Sequence, residues 1–210
     1  MNKRVAAVVL LAAGIACAQP EPPFYKPFPA AVLIEADVSR PTEILAKLTS
    51  DQRRELEGSR RLVRVTEIRN QKLARRTWTW SDGSTQDEWF TERFQIKRAG
   101  DGPVVIPFAE PLATAFDLSW IDRVTFIGTE SREGIACHVY RRPADELSLA
   151  LTAWIHSESR DLVAYETPNG YFRIRAVKQP PELTLPPEYS QALADYEAAA
   201  ALPGLYRRSR

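Results

Sequence analysis

A long series of short alternating segments constrains the fold of this chain more than any other feature. From residue 62 to residue 178, apolar and polar residues alternate with the period of two that β-strands require, and polar turns separate the segments. Asp82-Gly83 and Asn169-Gly170 are residue pairs that favour tight hairpins. We count roughly eight or nine strands, and short connections make neighbouring strands antiparallel. The pattern predicts a mainly β protein of the α+β class with a single strongly curved antiparallel sheet, a half-barrel.

Helical spacing occurs only toward the two ends of the chain. Residues 42–57 are predicted to be helical, and Ser50-Asp51 divides them into two short helices in an alternative interpretation. Residues 188–201 follow Pro187, which suits the first turn of a helix. Residues 104–112 contain prolines and predict a loop or an edge strand. The other strands are predicted at residues 31–38, 62–69, 72–80, 88–98, 120–128, 135–141, 147–156, 161–167 and 171–178.

Several predicted strands carry apolar residues on both faces, whereas a sheet with one wet face alternates cleanly. In residues 88–98, Phe90, Phe94 and Ile96 are predicted to share one face, with Trp89 on the other. Both faces then need cover, and the terminal helices supply only part of it. Either the sheet curls on itself, or an apolar surface is left facing a cavity.

Five tryptophans lie in or beside the predicted strands. A four-residue loop around Asp82-Gly83 would set Trp78 opposite Trp89, and cross-strand aromatic pairs stabilise a sheet by roughly 0.5–1 kcal/mol. In one interpretation these aromatic residues belong to the core, and in the other some of them line a cavity for an apolar ligand. The candidate cavity residues are Trp78, Trp80, Trp89, Phe90, Phe94, Trp120, Trp154 and Phe172.

The first 18 residues have the pattern of a signal peptide. Lys3 and Arg4 give a positive start, and an apolar run of about a dozen residues follows. This run is shorter than the roughly 20 residues that span a bilayer. Ala16 and Ala18 fit a cleavage site after residue 18. The pattern predicts a periplasmic or secreted protein.

Cys17 offers an alternative at the same place. Residues 14–17 match a bacterial lipobox loosely, with Gly14 where leucine is usual, so Cys17 is a possible lipidation site. A single acyl chain binds a membrane only marginally, but several chains on one cysteine would hold the protein there firmly. The alternative prediction is therefore a membrane-anchored lipoprotein.

The chain divides into a predicted signal peptide at residues 1–18, a Pro-rich linker at 19–29, a curved β domain with its N-terminal helix at 30–187, and a C-terminal helix and tail at 188–210.

The full chain has 28 Lys and Arg against 27 Asp and Glu, and loss of Lys3 and Arg4 with the signal peptide leaves a formal charge of −1. A near-neutral chain is a poor nucleic-acid binder, because that function needs a basic surface.

The sequence holds few groups that could carry chemistry. Cys137 and His138 are adjacent on a predicted strand, so their side chains point to opposite faces and cannot chelate one ion together. No Cys and His spacing suits zinc, and no nucleophile elbow, P-loop or H-E-x-x-H motif is present. A nucleophilic pair of Cys137 and His156 requires their strands to be neighbours. Otherwise these are a core thiol and a surface imidazole, and we predict no enzyme, no metal and no cofactor.

The segments after residue 126 resemble a known family. Residues 133–140 resemble a hairpin strand of the bacterial lipoprotein-sorting carriers, the LolA-like proteins, and residues 153–166 resemble that family's W-I-D-x-x-T-x-L-P-x-x-x-E hairpin. Residues 171–178 and the Pro-rich segment after them follow in the same order, so the resemblance covers residues 126–187. It implies an exported antiparallel half-barrel wrapped over helices, with an apolar cavity that carries acyl chains or lipoproteins.

These observations favour an exported envelope protein that binds an acyl chain, a lipid or a lipoprotein in a half-barrel cavity. The alternative is a structural or accessory envelope protein that has no small ligand and acts through contacts with an envelope protein partner. A cavity between the sheet and its covering segments would favour the first hypothesis, and a filled sheet interior would favour the second.

Overall fold

The computed structural model describes residues 24–41, 46–107, 115–146, 149–177 and 180–201. Eleven strands and two helices lie within these ranges. In chain order they are β1 (Val32–Ser39), α1 (Ser50–Gly58), β2 (Leu62–Arg69), β3 (Ala74–Trp80), β4 (Thr85–Phe90), β5 (Phe94–Ala99), β6 (Gly102–Pro107), β7 (Phe126–Arg132), β8 (Ile135–Arg142), β9 (Leu151–His156), β10 (Leu162–Thr167), β11 (Gly170–Val177) and α2 (Pro187–Ala201).

All eleven strands form one open antiparallel sheet in the order β6-β5-β4-β3-β2-β1-β11-β10-β9-β8-β7. The sheet consists of two meanders, β2–β6 and β7–β11, because each hairpin places consecutive strands side by side. Strand β1 joins the meanders at the centre by pairing with β2 on one side and β11 on the other. The predicted fold class is confirmed, and residues 102–107 form the edge strand β6, where proline is tolerated.

Within the described residues, the helical region predicted at residues 42–57 is interrupted before Ser50, because residue 46 is helical and residues 47–49 are not. Thr49 is non-helical, with φ −67° and ψ 165°, and caps α1. Its side chain accepts from the Gln52 N–H, while the Gln52 side chain accepts from the Thr49 N–H. This capping box fixes the start of α1 at Ser50, in agreement with a break near Ser50-Asp51. Residues 42–45 lie outside the described ranges.

The single strand predicted at residues 88–98 is wrong, because a turn at 91–93 divides it into β4 and β5. The Thr91 hydroxyl accepts hydrogen bonds from the N–H groups of Arg93 and Phe94 and so closes the turn. Trp89 then lies opposite Ile96, and Phe94 joins them, so Phe90 is on the other face. The predicted grouping of Phe90 with Phe94 and Ile96 is therefore wrong as well.

The hairpin at Asp82-Gly83 forms, but its register differs from the prediction. The Gly83 N–H donates to the Trp80 carbonyl, and Gly83 has φ +81°, which gives a tight turn with a glycine in the left-handed region. This register sets Trp78 opposite Gln86 and Trp89 opposite Arg75. The predicted pairing of Trp78 with Trp89 is wrong, because the turn is tighter than the loop on which the prediction relied.

Two further strand boundaries need correction. Trp120 precedes β7 and lies in a turn that Asp122 and Thr125 hold with reciprocal hydrogen bonds, so residues 120–125 are not a strand. Strand β9 begins at Leu151, and Leu149 lies before it with 56% of its surface exposed. At the first place a polar turn occupies residues predicted as a strand, and at the second residues 149–150 are not in a strand while residues 147–148 lie outside the described ranges.

The sheet has an inner face and an outer face, and different elements cover them. The inner face is the side on which Ile34, Val65 and Ile155 point, and residues 115–121 pack on it with Phe116, Leu118 and Ile121. The outer face is the opposite side, where α2 packs Tyr189 against Trp89 and Ile96. A second outer cluster contains Cys137, Val139, Trp154 and Ala164. Residues 115–121 therefore cover part of the inner face, and α2 covers part of the outer face.

The segment that precedes β1 also packs on the sheet. Phe24, Tyr25 and Phe28, which belong to the predicted linker at residues 19–29, are partly buried against the inner core. The Lys26 N–H donates to the Arg160 carbonyl at 2.8 Å. The predicted signal peptide at residues 1–18 and Cys17 lie outside the described residues. Within the described ranges, neither the length nor the hydropathy of any helix suits a membrane crossing.

Candidate functional site

A cavity of about 710 Å³ lies on the inner face beside the core, and we call it the inner cavity. One wall is formed by Leu62 and Val65 of β2 with Trp78 and Trp80 of β3. The opposite wall is formed by the aromatic side chains of Phe116, Tyr165 and Phe172. The volume lies within the range of about 300–1,000 Å³ that is usual for small-molecule sites, which are mostly apolar.

The rim of the inner cavity is more polar than its walls. Arg40, Pro41, Leu56 and Arg61 lie at the rim near α1, and Thr167, Pro168 and Asn169 lie at the β10–β11 turn. Arg61, Pro168 and Asn169 are exposed, so the cavity reaches solvent there. An apolar interior with a polar entrance suits a ligand that has an apolar body and a polar end.

Three of the eight predicted cavity residues line the inner cavity, namely Trp78, Trp80 and Phe172. Alternation along β3 directs Trp78 and Trp80 to the same face. Trp120 packs beside the core instead, with its ring 6.4 Å from that of Tyr165 and its indole N–H donating to the Asp117 carbonyl. Phe90 is half-buried, with the Arg76 guanidinium 4.8 Å from its ring centroid.

The remaining candidates lie on the outer face. Trp89 and Phe94 are covered by α2, where their ring centroids lie 6.2 Å from Tyr189 and 5.5 Å from Tyr196. Trp154 donates its indole N–H to Glu130, and the Arg132 guanidinium lies 4.5 Å from its ring. These three residues pack in clusters of the outer face and do not line the inner cavity.

Sequence reasoning missed several residues of the cavity wall, including Val65, Phe116 and Tyr165. The alternation of β2 and β10 could have placed Val65 and Tyr165 on one face. Phe116 belongs to a covering segment without periodicity. Its ring lies 5.5 Å from Tyr165 and 5.6 Å from Phe172 in edge-on contacts, so it closes one side of the cavity.

A buried carboxylate holds this covering segment on the inner face. The Glu67 carboxylate is 1% exposed and accepts from Arg76 Nη2 at 2.9 Å and from the Ala115 N–H at 2.9 Å. Arg69 Nε lies 3.2 Å from the other carboxylate oxygen. Burial lowers the pKa of Arg69, although the charge of Glu67 opposes that effect. Two cations and one N–H thus compensate the buried negative charge and fix Ala115 beside the cavity.

The possible nucleophilic pair meets only one of its conditions. Cys137 and His156 are direct partners across β8 and β9. However, the Cys137 thiol is buried, and burial, followed by the charge of Glu130, raises its pKa, which disfavours the reactive thiolate. His156 Nδ1 accepts from the N–H groups of Glu158 and Ser159 at 3.1 and 3.2 Å. The structure supports the interpretation of a core thiol and a turn-capping imidazole.

In the part of the chain that the structure describes, no group of three or more Asp, Glu, His or Cys side chains is arranged to hold a metal ion. The ion pairs of the outer face join opposite charges on neighbouring strands, such as Arg64 with Asp37 at 2.8 Å. Because these ion pairs neutralise their own charges, the inner cavity remains the strongest candidate site.

Comparisons with known proteins give little further information. No protein-family model matches the chain, and no curated protein matches it. Among solved structures, it is similar to lipoprotein LppX of Mycobacterium tuberculosis, with a TM-score of 0.36 and 14% identity over 75% of this chain and 90% of that chain. It is also similar to LprF of Mycobacterium bovis, with a TM-score of 0.31 and 13% identity over 76% and 89% of the two chains. At these TM-scores the likeness carries no argument, and membership of the LolA-like family stays a prediction.

Proposed function

We propose that this protein binds a ligand with an alkyl chain in the inner cavity. The observation that carries the proposal is the unfilled volume of about 710 Å³ between the aromatic walls of Trp78, Phe116 and Phe172. Apolar surface in water is unfavourable, at roughly 25 cal/mol for each Å². An alkyl chain that enters the cavity removes both its own apolar surface and that of the walls from water.

The cavity walls are built on paired strands and on a covering segment that a buried carboxylate holds. The two aromatic walls rise from strands in the middle of the sheet, β2 and β3 on one side and β10 and β11 on the other. The covering segment is fixed by the Glu67 carboxylate through the Ala115 N–H. A site that exists before the ligand arrives loses less binding free energy to ordering.

The proposal is tested by titrating the protein with a fluorescent fatty-acid probe, 11-(dansylamino)undecanoic acid. We expect saturable binding, and Trp78→Ala should weaken it by about tenfold, since the loss of a good aromatic contact costs about 1.4 kcal/mol. Trp120→Ala is the matched control, because Trp120 is also half-buried but does not line the cavity. Absence of probe binding, or equal losses in both variants, would contradict the proposal.

A second candidate function rests on the edge strand β7. Phe126 and Ile127 are 42% and 53% exposed, and Val124 just before them is 89% exposed. An exposed apolar edge strand is a template for pairing with a strand of another protein. Under this alternative, Ile127→Lys would abolish capture of a protein partner and leave probe binding unchanged, whereas unchanged capture would exclude the edge strand.

We propose that the protein is exported and acts in the bacterial envelope. The support is the pattern of residues 1–18, with Cys17 as the alternative lipidation site. Mass spectrometry of the protein from its host separates the two forms, because cleavage after Ala18 leaves Gln19 at the N-terminus and lipidation leaves an acylated Cys17. An N-terminus at Met1 would contradict both.

A further inference from the structure

The rim of the inner cavity has an excess of positive charge. Arg40 and Arg61 both line it, and none of the described residues that line it is Asp or Glu. Arg61 has no ion-pair partner within the described ranges, and Arg40 uses one guanidinium nitrogen, Nη2, for the Leu56 carbonyl and the Ser59 hydroxyl. The charge of the exposed Glu57 partly compensates Arg40, but Glu57 does not line the cavity.

Two buried donors on residues that line the inner cavity lack acceptors. Neither Arg40 Nη1 nor the Trp80 indole N–H has a hydrogen-bond partner among the described residues. Buried donors are nearly always paired, because an unpaired donor loses its hydrogen bonds to water without replacement. Burial, and then the charge of Arg61, lower the pKa of Arg40, and the charge of Glu57 opposes them.

Arg60, which does not line the inner cavity, gives a comparison for Arg61, because its charge is compensated by neighbouring residues. Its Nε pairs with the Asp82 carboxylate at 3.1 Å, and its guanidinium lies 4.4 Å from the Trp80 ring. Arg60 and Asp82 do not line the inner cavity, whereas Trp80 does, and the two interactions together leave Arg60 compensated. The neighbouring Arg61 has no such partner in the described part of the chain, although it lies at the cavity rim.

We propose that the inner cavity takes a single-chain amphiphile with an anionic headgroup, whose chain contacts Trp78 and Phe172 and whose headgroup lies at Arg40 and Arg61. This inference rests on the proposed function and deepens it. The size of the cavity favours one chain. At about 30 Å³ for a group the size of a water molecule, the volume of about 710 Å³ holds on the order of 20 such groups, which suits one long alkyl chain and its headgroup.

The test compares two probes that differ only in charge, 11-(dansylamino)undecanoic acid and its methyl ester. The measured quantity is the ratio of the ester Kd to the acid Kd at low salt, since salt screens charges near a surface. Comparison of this ratio between variants removes the difference in hydrophobicity between the probes. Arg61→Gln should lower the ratio by about tenfold, because hydrogen bonds to charged groups are the strong ones.

Arg53→Gln is the matched control, because Arg53 is exposed on α1 and does not line the cavity. It removes the same charge and should leave the ratio unchanged. Arg40→Gln should lower the ratio as Arg61→Gln does, and circular dichroism confirms that each variant is folded. A ratio that is equal in all variants while both probes bind would overturn the headgroup inference and leave the proposed function standing. Failure of the native protein to bind either probe would overturn both.

Discussion

Glu67 shows at the scale of a residue how a buried charge can position an apolar site. Strand alternation directs its carboxylate to the inner face, among Val65 and the core. There it binds Arg69, Arg76 and the Ala115 N–H, so its charge is compensated and the covering segment is held. The sequence gives no sign of this role, since the partners come from three separate segments.

Glu67→Ala should destabilise the protein by about 3 kcal/mol or more, because it leaves two largely buried cations without their counter-charge. The free energy of unfolding is measured by urea denaturation. Asp37→Ala is the control, since Asp37 pairs with Arg64 on the exposed outer face and its loss should cost less than about 1 kcal/mol. Equal losses in the two variants would contradict a central role for Glu67.

The Cys137 thiol predicts a pH dependence of stability. Burial raises its pKa in the folded state, and the Glu130 carboxylate adds to this effect. In the unfolded chain a thiol loses its proton near about pH 8.5. The folded state retains the proton above that pH, so this contribution to stability is complete below the unfolded pKa and is lost as the pH rises through the folded pKa.

The free energy of unfolding should therefore fall more steeply above about pH 8.5 in the native protein than in Cys137→Ala. Urea denaturation at several pH values below about 10 measures this slope before tyrosines in the unfolded chain ionise. Above that limit Tyr140 and Tyr165 would add a loss of stability of the same kind, because burial raises their pKa values as well. Identical slopes in the two proteins would refute the assignment to Cys137.

At the scale of an element, helix α2 covers the outer face of the sheet at strands β4–β6. Its Tyr189 is buried, with its ring 6.2 Å from that of Trp89, and Leu193 packs on the same cluster. The Arg98 guanidinium also pairs with Glu188 at 2.8 Å. The helix thus keeps β4–β6 from exposing an apolar outer face.

Tyr189→Ala should lower the free energy of unfolding by about 3 kcal/mol, the usual cost of truncating a buried aromatic residue. Gln191→Ala, an exposed change on the same helix, should stay within about 0.5 kcal/mol. Both values come from thermal or urea denaturation. If Tyr189→Ala were no more harmful than Gln191→Ala, α2 would not be an essential cover.

The hairpins show how far sequence reasoning reaches and where it fails. Alternation located β2, β3, β8, β10 and β11 within a few residues, because their faces differ in polarity. The turn at 91–93 escaped prediction because Thr91 closes it without glycine or proline. Gly170 is the first residue of β11, and an added Cβ there would lie 3.0 Å from the Val38 side chain, so close packing favours glycine at this position.

The same limit applies to the candidate site. Trp78, Trp80 and Phe172 are among the aromatic strand residues predicted as cavity candidates, and these three line the inner cavity. Local alternation could not assign Trp89, Phe94 and Trp154 to the outer face. The face of each residue depends on the register of its hairpin and on where each covering element packs. Such long-range information is absent from any short window of sequence.

At the scale of the whole molecule, β1 determines the shape of the site. By pairing with both β2 and β11, it brings the two meanders into one sheet, so that walls from β3 and β10 face the same space. Residues 115–121 cover the adjoining core and leave the inner cavity beside it. The proposed function therefore depends on one claim, that an alkyl chain binds in the inner cavity and at no other place.

Isotope-filtered nuclear Overhauser measurements test this claim directly, with unlabelled palmitate bound to protein that carries labelled methyl groups. We expect contacts from the alkyl chain to the methyl groups of Leu62, Val65 and Ala115, which line the inner cavity. We expect none to Val139 and Ala164 of the outer face. Contacts confined to the outer-face methyl groups, or no contacts at saturating palmitate, would contradict this claim.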